Sequence, residues 1–309
     1  IEGQLGNPKV TWERASKQNY GIDLKLFKDR LSLSADYFRE NRTVILISRN
    51  TTPGILAITL PMLNMGEVLN QGYELSLKWA DGYKDMRYWI GANVSYAKNK
   101  ILYMDEVKHV NDFNNQTGRS TGLTYGYEFE RFYTEDDFTD VKKGILKDDV
   151  PKPSFGTPFP GDCKYVDKDG NGVIDTDDRT YLGYSTQRPE YVFGLNGGID
   201  WKGWSFSMQW TGATHVSRNL ATEYRIPFSP NGARALFKYH ADERWTPETA
   251  KTATMPRFSD SSKALNYDQN SSLWVKDASY IRLKNVQLGY TFNKKGWLRT
   301  IGLNSLNVY

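Results

Sequence analysis

Residues 72–96 read GYELSLKWADGYKDMRYWIGANVSY. Tyr73, Leu75, Leu77 and Trp79 alternate with Gly72, Glu74, Ser76 and Lys78. After a short turn at Asp81 to Met86, Tyr88, Ile90, Ala92, Val94 and Tyr96 alternate with Trp89, Gly91, Asn93 and Ser95. Successive side chains of a strand point to opposite faces, so this period of two predicts two strands, each with one apolar face. The tight turn between them predicts an antiparallel hairpin.

The same pattern recurs on both sides. Tyr20, Ile22, Leu24 and Leu26 share a face, Lys28-Asp29-Arg30 turns the chain, and Leu31, Leu33, Ala35 and Tyr37 answer them in a strand that runs on to Ile47. Tyr191, Phe193, Leu195, Ile199 and Trp201 lead through the turn Trp201-Lys202-Gly203 to Trp204, Phe206, Met208 and Trp210, interleaved with Ser205, Ser207, Gln209 and Thr211. Tyr280 to Phe292 and Leu298 to Tyr309 predict a last pair, with a phase shift near Lys284-Asn285 that suggests a bulge. The connections between hairpins are long. Arg49 to Met65 holds Pro53, Gly54 and Pro61; residues 104–189 hold the Tyr-rich Gly122 to Tyr127 and the Pro-rich Pro151 to Gly161; residues 215–273 hold Pro227, Pro230, Pro247 and Pro256, with room for a short helix near Gly232 to Trp245.

Short turns thus alternate with long connections, and Tyr and Trp gather at the ends of the apolar faces: Tyr20, Tyr37, Tyr73, Trp79, Tyr88, Tyr96, Trp201, Trp204 and Trp210. Aromatic residues are 14% of the chain. An outer-membrane barrel has these features: an apolar belt, aromatic girdles, short periplasmic turns and long outer loops. The expected fold class is all-β, an antiparallel transmembrane β-barrel with long extracellular loops. Periodicity alone does not say which face meets lipid, and a soluble β-sandwich with its apolar face inward shares the alternation. Mean hydropathy is negative and no apolar run reaches the roughly eighteen residues of a membrane helix, which leaves a barrel open. The net charge of +4, from 40 basic and 36 acidic residues, points to no nucleic-acid partner.

Between the second and third hairpins lies DCKYVDKDGNGVIDTDDRTYLG, Asp162 to Gly183. Asp167, Asp169, Asn171, Asp175 and Asp178 occupy positions 1, 3, 5, 9 and 12 of a cation-wrapping loop; Gly172 holds position 6 and the Val173 carbonyl position 7. Ile174 can tack the loop onto apolar neighbours. Calcium is the expected structural cofactor; no organic cofactor is expected. Position 12 carries Asp where Glu is usual, and the Pro-rich run before the loop rules out the leading helix of an EF-hand. An Asp/Asn/Gly turn held by its own side-chain-to-backbone bonds is the alternative.

Three stretches together carry a resemblance: Asn7-Pro8-Lys9-Val10-Thr11-Trp12-Glu13 followed by Asn19 to Asp23; Asn64-Met65-Gly66-Glu67-Val68-Leu69-Asn70-Gln71-Gly72-Tyr73-Glu74-Leu75; and Gly161-Asp162 through Asp178-Arg179-Thr180 to Gly183. In this order the chain resembles the C-terminal half of a SusC/RagA-type TonB-dependent outer-membrane transporter, with Leu69 where an acidic residue is common. The resemblance implies import of oligosaccharides or peptides through a plugged barrel in the outer membrane of a Gram-negative bacterium. It implies a SusD-type surface lipoprotein as lid and energy from TonB through a region N-terminal to this chain. Residues 1–309 are then part of one barrel domain, with extracellular regions at 104–189, which includes the acidic loop 167–178, and at 215–273. The other class of reading is a secreted soluble β-protein that binds or degrades glycans and uses the loop as a structural calcium site.

Catalytic constellations are not evident. His109, His215 and His240 lack metal-ligand spacing and read as loop residues. Glu135-Asp136-Asp137 and Asp148-Asp149 read as solvated charge, because a glycosidase holds two carboxylates apart on a rigid frame. The lone Cys163 permits no internal disulfide. The chain is therefore read as a non-enzyme, with Asp23, Glu74, Lys78, Asn93, Asn196 and Gln209 facing a wet lumen. About eight strands are expected where a plugged transporter of this type has about 22. The first and last strands should therefore pair with segments outside this sequence.

Overall fold

The computed structural model describes residues 6–51, 60–228, 236–259, 263–293, 298 and 300–309. Pro53, Gly54, Pro230 and Gly232, expected in connections, lie outside them. The architecture is all-β, and its main sheet is antiparallel. Eight strands form one sheet: β1 (Arg14–Leu26), β2 (Leu31–Ile47), β3 (Leu63–Tyr83), β4 (Met86–Tyr103), β5 (Tyr191–Trp201), β6 (Trp204–Thr214), β7 (Tyr280–Asn293) and β8 (Ser305–Val308). Their order in the sheet is their order in the chain. β1 and β8 are its two edges and do not pair with each other, so the eight strands close no small barrel of their own.

Register explains how the faces line up. Tyr20 lies opposite Tyr37, Tyr37 opposite Tyr73, Tyr73 opposite Tyr96 and Tyr96 opposite Tyr191. Five strands thus set a continuous row of tyrosines across one face, with ring centroids 5.3 Å apart at Tyr73–Tyr96 and 4.6 Å at Tyr96–Tyr191. At the other end of that face Trp201 opposes Trp204 and Trp204 opposes Tyr290. Between the two aromatic borders Leu77, Ile90, Leu195 and Leu288 are 46%, 53%, 45% and 60% exposed. Nothing in the described chain covers them, so this face calls for an apolar partner such as lipid. The opposite face carries Glu74, Ser76, Asn93, Asn196 and Gln209.

Glycines sit where strands approach closely. A Cβ on Gly72 would lie 1.9 Å from the Tyr96 carbonyl oxygen. On the polar face Asn93 stands over Gly194 and Asn196 over Gly91, a reciprocal pairing across β4 and β5. The β5–β6 turn places Lys202 and Gly203 at φ 49° and 93°, the left-handed pair that suits a two-residue hairpin. The expected bulge is present: Gln209 pairs with Asn285 and Trp210 with Leu283, which leaves Lys284 as the extra residue.

One strand departs from expectation. Leu298 does not begin β8; the amides of Ile301 and Leu303 donate to its carbonyl, and the strand starts only at Ser305. The alternation after Leu298 comes from a turn that buries Leu298 completely, not from pairing.

The two longest connections join in one body. Residues 104–190 and 215–279 form short ladders, among them Thr124–Gly126 with Thr180–Leu182 and Ser217–Asn219 with Val275–Asp277. A shared core contains Tyr127, Tyr165 and Ile174 from the first connection and Met255, Tyr267 and Trp274 from the second. A short helix, Lys238–Asp242, falls inside the expected range.

Leu77 and Ser76 are neighbours on opposite faces. Leu77→Arg is expected to destabilise the membrane-inserted full-length protein by roughly 2–4 kcal/mol. Ser76→Arg should stay within about 0.5 kcal/mol. Denaturant titration in lipid vesicles measures both; equal costs would mean that the face was assigned wrongly.

Candidate functional site

The three motif stretches each do structural work at the same end of the sheet. Thr11 and Asn64 exchange hydrogen bonds: the Thr11 amide donates to Asn64 Oδ1 at 3.0 Å and Asn64 Nδ2 donates to the Thr11 carbonyl at 2.8 Å. Asn64 Nδ2 also reaches the Val44 carbonyl at 2.9 Å, so the side chain bridges β2 to the segment before β1. The third stretch anchors the loop body. Asp162 is completely buried and accepts from the Phe159 amide at 2.9 Å, from Arg257 Nε at 2.7 Å and from Asn266 Nδ2 at 2.9 Å. Asn266 in turn accepts from the Cys163 amide at 2.8 Å and from Trp274 Nε1 through its carbonyl at 2.9 Å. A buried carboxylate needs such partners, because its charge is otherwise too costly to desolvate.

The acidic loop leaves this anchor through Tyr165. Ile174 is buried in the shared core, and Val173–Ile174 pairs in parallel with Lys152–Pro153. The structure brings Asp167, Asp169 and Asp178 together, with one carboxylate oxygen from each lying within 4.8 Å of the others. Asn171 stands next to them, its Nδ2 donating to Asp169 Oδ2 at 3.0 Å and its Oδ1 accepting from the Val173 amide at 2.7 Å. Asp175 lies outside that group; its Oδ1 accepts from the Asp177 amide at 2.8 Å as the cap of a short 3₁₀ turn. Asp178 is buried and accepts from the amides of Lys168 at 2.6 Å and Asp175 at 2.9 Å. Burial pushes its carboxyl above the usual range, against those backbone hydrogen bonds. The oxygen-rich donor set fits a hard cation in type. Three convergent carboxylates carry the fit, not the full ring of six residues.

Below the loop body, the polar face of the sheet opens on a pocket of about 420 Å³ lined by Glu40, Arg42, Asn70, Asn99, Thr121 and Arg188. Arg42 is held by Glu40 and Glu13. Asn99 Oδ1 accepts from the Thr121 amide and hydroxyl at 2.7 and 3.0 Å, tying the connection to β4.

Two readings from the sequence need correction. Asp137 is not solvated charge: it is buried, takes both guanidinium nitrogens of Arg131 at 2.7 and 2.6 Å, and caps the turn at Thr134. Burial works against its ionisation, and the Arg131 hydrogen bonds override it to hold the carboxyl below the usual range. His240 is no exposed loop residue; it is fully buried in the short helix, with Nε2 3.0 Å from the Tyr224 carbonyl. Asp148 remains exposed. Cys163 is buried, and burial pushes its thiol well above the usual range. Arg257 and Asn266 were missed in the sequence, since they lie 95 and 104 residues from the carboxylate they serve.

Known proteins fall in line with this geometry. A family model described as TonB dependent receptor-like, beta-barrel matches residues 2–158. TonB-dependent receptor P3 of Formosa agariphila is 27% identical over 99% of this chain and 30% of its own length. TonB-dependent receptor SusC of Bacteroides thetaiotaomicron is 23% identical over 93% of this chain and 27% of its own. Among solved structures, the RagAB peptide importer in its open-open state superposes with a TM-score of 0.69 at 20% identity, covering 99% of this chain and 32% of that one. That likeness is one of fold. The chain spans about three tenths of the length of these curated relatives.

Asp162→Ala removes the acceptor that half-buried Arg257 and buried Asn266 share. It is expected to cost roughly 3 kcal/mol in the loop body while the sheet stays folded. Hydrogen exchange resolved by segment measures this; unchanged protection at Trp274 and Tyr165 would contradict the anchoring role.

Proposed function

We propose that this chain, which belongs to the TonB dependent receptor-like β-barrel family, is part of the wall of an outer-membrane importer. The observation that carries the reading is the two-faced sheet: an uncovered apolar face bordered by aromatics, backed by a polar face that opens on the 420 Å³ pocket. Residues 1–309 act as one barrel segment. The connections at 104–189 and 215–273 lie outside the cell, because the tight β1–β2 and β5–β6 turns belong at the periplasmic end. The cargo is a peptide or an oligosaccharide, delivered with a SusD-type lipoprotein as lid and with energy from TonB. Arg42, Arg188 and Glu40 at the pocket favour a charged peptide over a neutral glycan, and the RagAB peptide importer shares the fold. The chain performs no hydrolysis in this reading. The soluble secreted alternative is disfavoured, since it would leave the apolar face in water.

The test is uptake. A strain lacking the full-length protein should fail to accumulate a labelled peptide pool that the parent imports, and Arg188→Ala should reduce that import about tenfold. Recovery of the protein without detergent, or peptide uptake unaltered by its loss, would refute the importer reading.

We propose further that the loop body takes up calcium at Asp167, Asp169 and Asp178, with Asn171, Asp175 and the Val173 carbonyl completing the ring on binding. Asp178 sets the pH dependence. Its folded pKa is raised, so the folded state holds the proton at a pH where the unfolded chain has lost it. Ionised Asp178 therefore costs stability, increasingly as pH rises through that window and fully above it. A cation offsets this cost at neutral pH. Calcium-dependent protection of segment 167–178 should accordingly disappear on acidification before ordinary carboxylates titrate. Protection that is the same with calcium and with chelator at pH 7 would reduce the loop to a self-bonded turn.

A further inference from the structure

The face that carries the tyrosine row does not end in apolar residues. Two positions further toward the loop body, on the same face, the register sets Gln18, Arg39, Gln71 and Lys98 side by side. The next row is Ser16, Asn41, Leu69 and Lys100. Three cations and no carboxylate stand in these two rows. Lys98 and Lys100 are both exposed on β4, directly beyond Tyr96. The loop body adds a third cation next to them. The amide of Ile101 donates to the Arg119 carbonyl at 2.8 Å and the amide of Gly118 to the Ile101 carbonyl at 2.8 Å, so segment 118–119 lies against the end of β4. Together these elements enclose a pocket of about 370 Å³ whose lining includes Gln71, Lys98, Lys100, Arg119, Tyr184 and Glu190. Among the described residues its only carboxylate is Glu190, 3.1 Å from Lys98 Nζ. Arg119 is fixed through Nε by the Asn115 carbonyl at 2.8 Å, through Nη2 by the Phe113 carbonyl at 3.2 Å, and by its place over the Tyr181 ring.

We propose that this pocket binds the phosphorylated sugar headgroup of an outer-leaflet glycolipid. The inference rests on the membrane reading given above, which puts the tyrosine row at the outer interface. A strand rises about 3.4 Å per residue, so Lys98 and Lys100 stand roughly 7 and 14 Å beyond Tyr96 along β4. That is headgroup depth for a lipid whose acyl chains lie along Leu77 and Ile90. Lysine and arginine near a membrane surface attract anionic lipid. Gln71 and the Tyr184 hydroxyl offer hydrogen bonds to sugar. Glu190 holds Lys98 in place in the absence of lipid and competes with the phosphate for it.

The full-length receptor in detergent is titrated with a fluorescent phosphorylated lipid A and with the same lipid after enzymatic dephosphorylation. The phosphorylated form should bind about tenfold more tightly. Lys98→Gln with Lys100→Gln should abolish that preference, whereas Lys84→Gln at the opposite end of β3 should keep it. Glu190→Gln frees Lys98 and should strengthen binding of the phosphorylated form several-fold, a gain that misfolding cannot mimic. Equal affinity for the two lipids, or a preference that survives the double substitution, would overturn the site. So would full displacement of the lipid by inorganic phosphate alone, which would mark a site for soluble anions. A receptor that fractionates without detergent would defeat the membrane reading and this site with it; a membrane-inserted receptor blind to phosphate defeats this site alone.

Discussion

A peptide group left unpaired in hydrocarbon costs several kcal/mol, and a sheet in a membrane has no water to make up the loss. Hydrogen-bond register between neighbouring strands is therefore the constraint on which the rest of this structure depends. It holds over most of the length of β1 to β7, with shifts near the loop end of β2 and β3 and at the Lys284 bulge. Because side chains alternate, register also decides what lies beside what. The tyrosine row, the cations beyond it and the Asn-over-Gly pairs on the other face all follow from one set of strand pairings. A slip of one residue between β3 and β4 would turn Leu75 and Leu77 from Val94 and Ala92 toward polar partners and set Gly72 against the wrong carbonyl.

The loop body obeys a different rule. Its connections are long and polar, yet they enclose buried charge, and each of the buried carboxylates Asp162 and Asp137 is met by an arginine. Asp162 draws on Arg257 and Asn266; Asp137 draws on Arg131. Such pairs contribute little net stability against an apolar replacement, but removing one partner is costly, so the Asp162 set fixes the packing of one connection on the other while Arg131–Asp137 fixes a local turn. The acidic loop is held between this anchor and Ile174. Its carboxylates are thus presented by a rigid base, while Gly170 and Gly172, at φ 75° and 83°, face open space at its tip.

The sheet was largely legible because its signal is local. Alternation over Tyr73 to Tyr96 is visible within one hairpin, and even the bulge showed as a change of phase at Lys284. Where alternation misled, as at Leu298, a buried turn imitated a strand over a few residues. Partnerships in the loop body were not legible, because nothing near Asp162 announces residues some hundred positions away. Asp137 looked like one of three adjacent acids; only folding brought Arg131 over it. The acidic loop lay between these cases. Its spacing could be counted, and Asp167, Asp169 and Asp178 do converge, but Asp175 serves as a 3₁₀ cap instead, which spacing does not encode. The cation rows beyond the tyrosines required register across β1 to β4, which single strands do not reveal.

Cys163 has a practical corollary. Its sulfur is sealed in the shared core and kept in the protonated, unreactive form. A maleimide dye or spin label applied to the folded chain would pass it by. A cysteine engineered at an exposed position such as Val110 or Asp148 would then be the single reactive thiol of this segment. Distances from the loop body to a labelled partner could be followed without first removing the native residue, and a dye that did reach Cys163 would report that the anchor had opened.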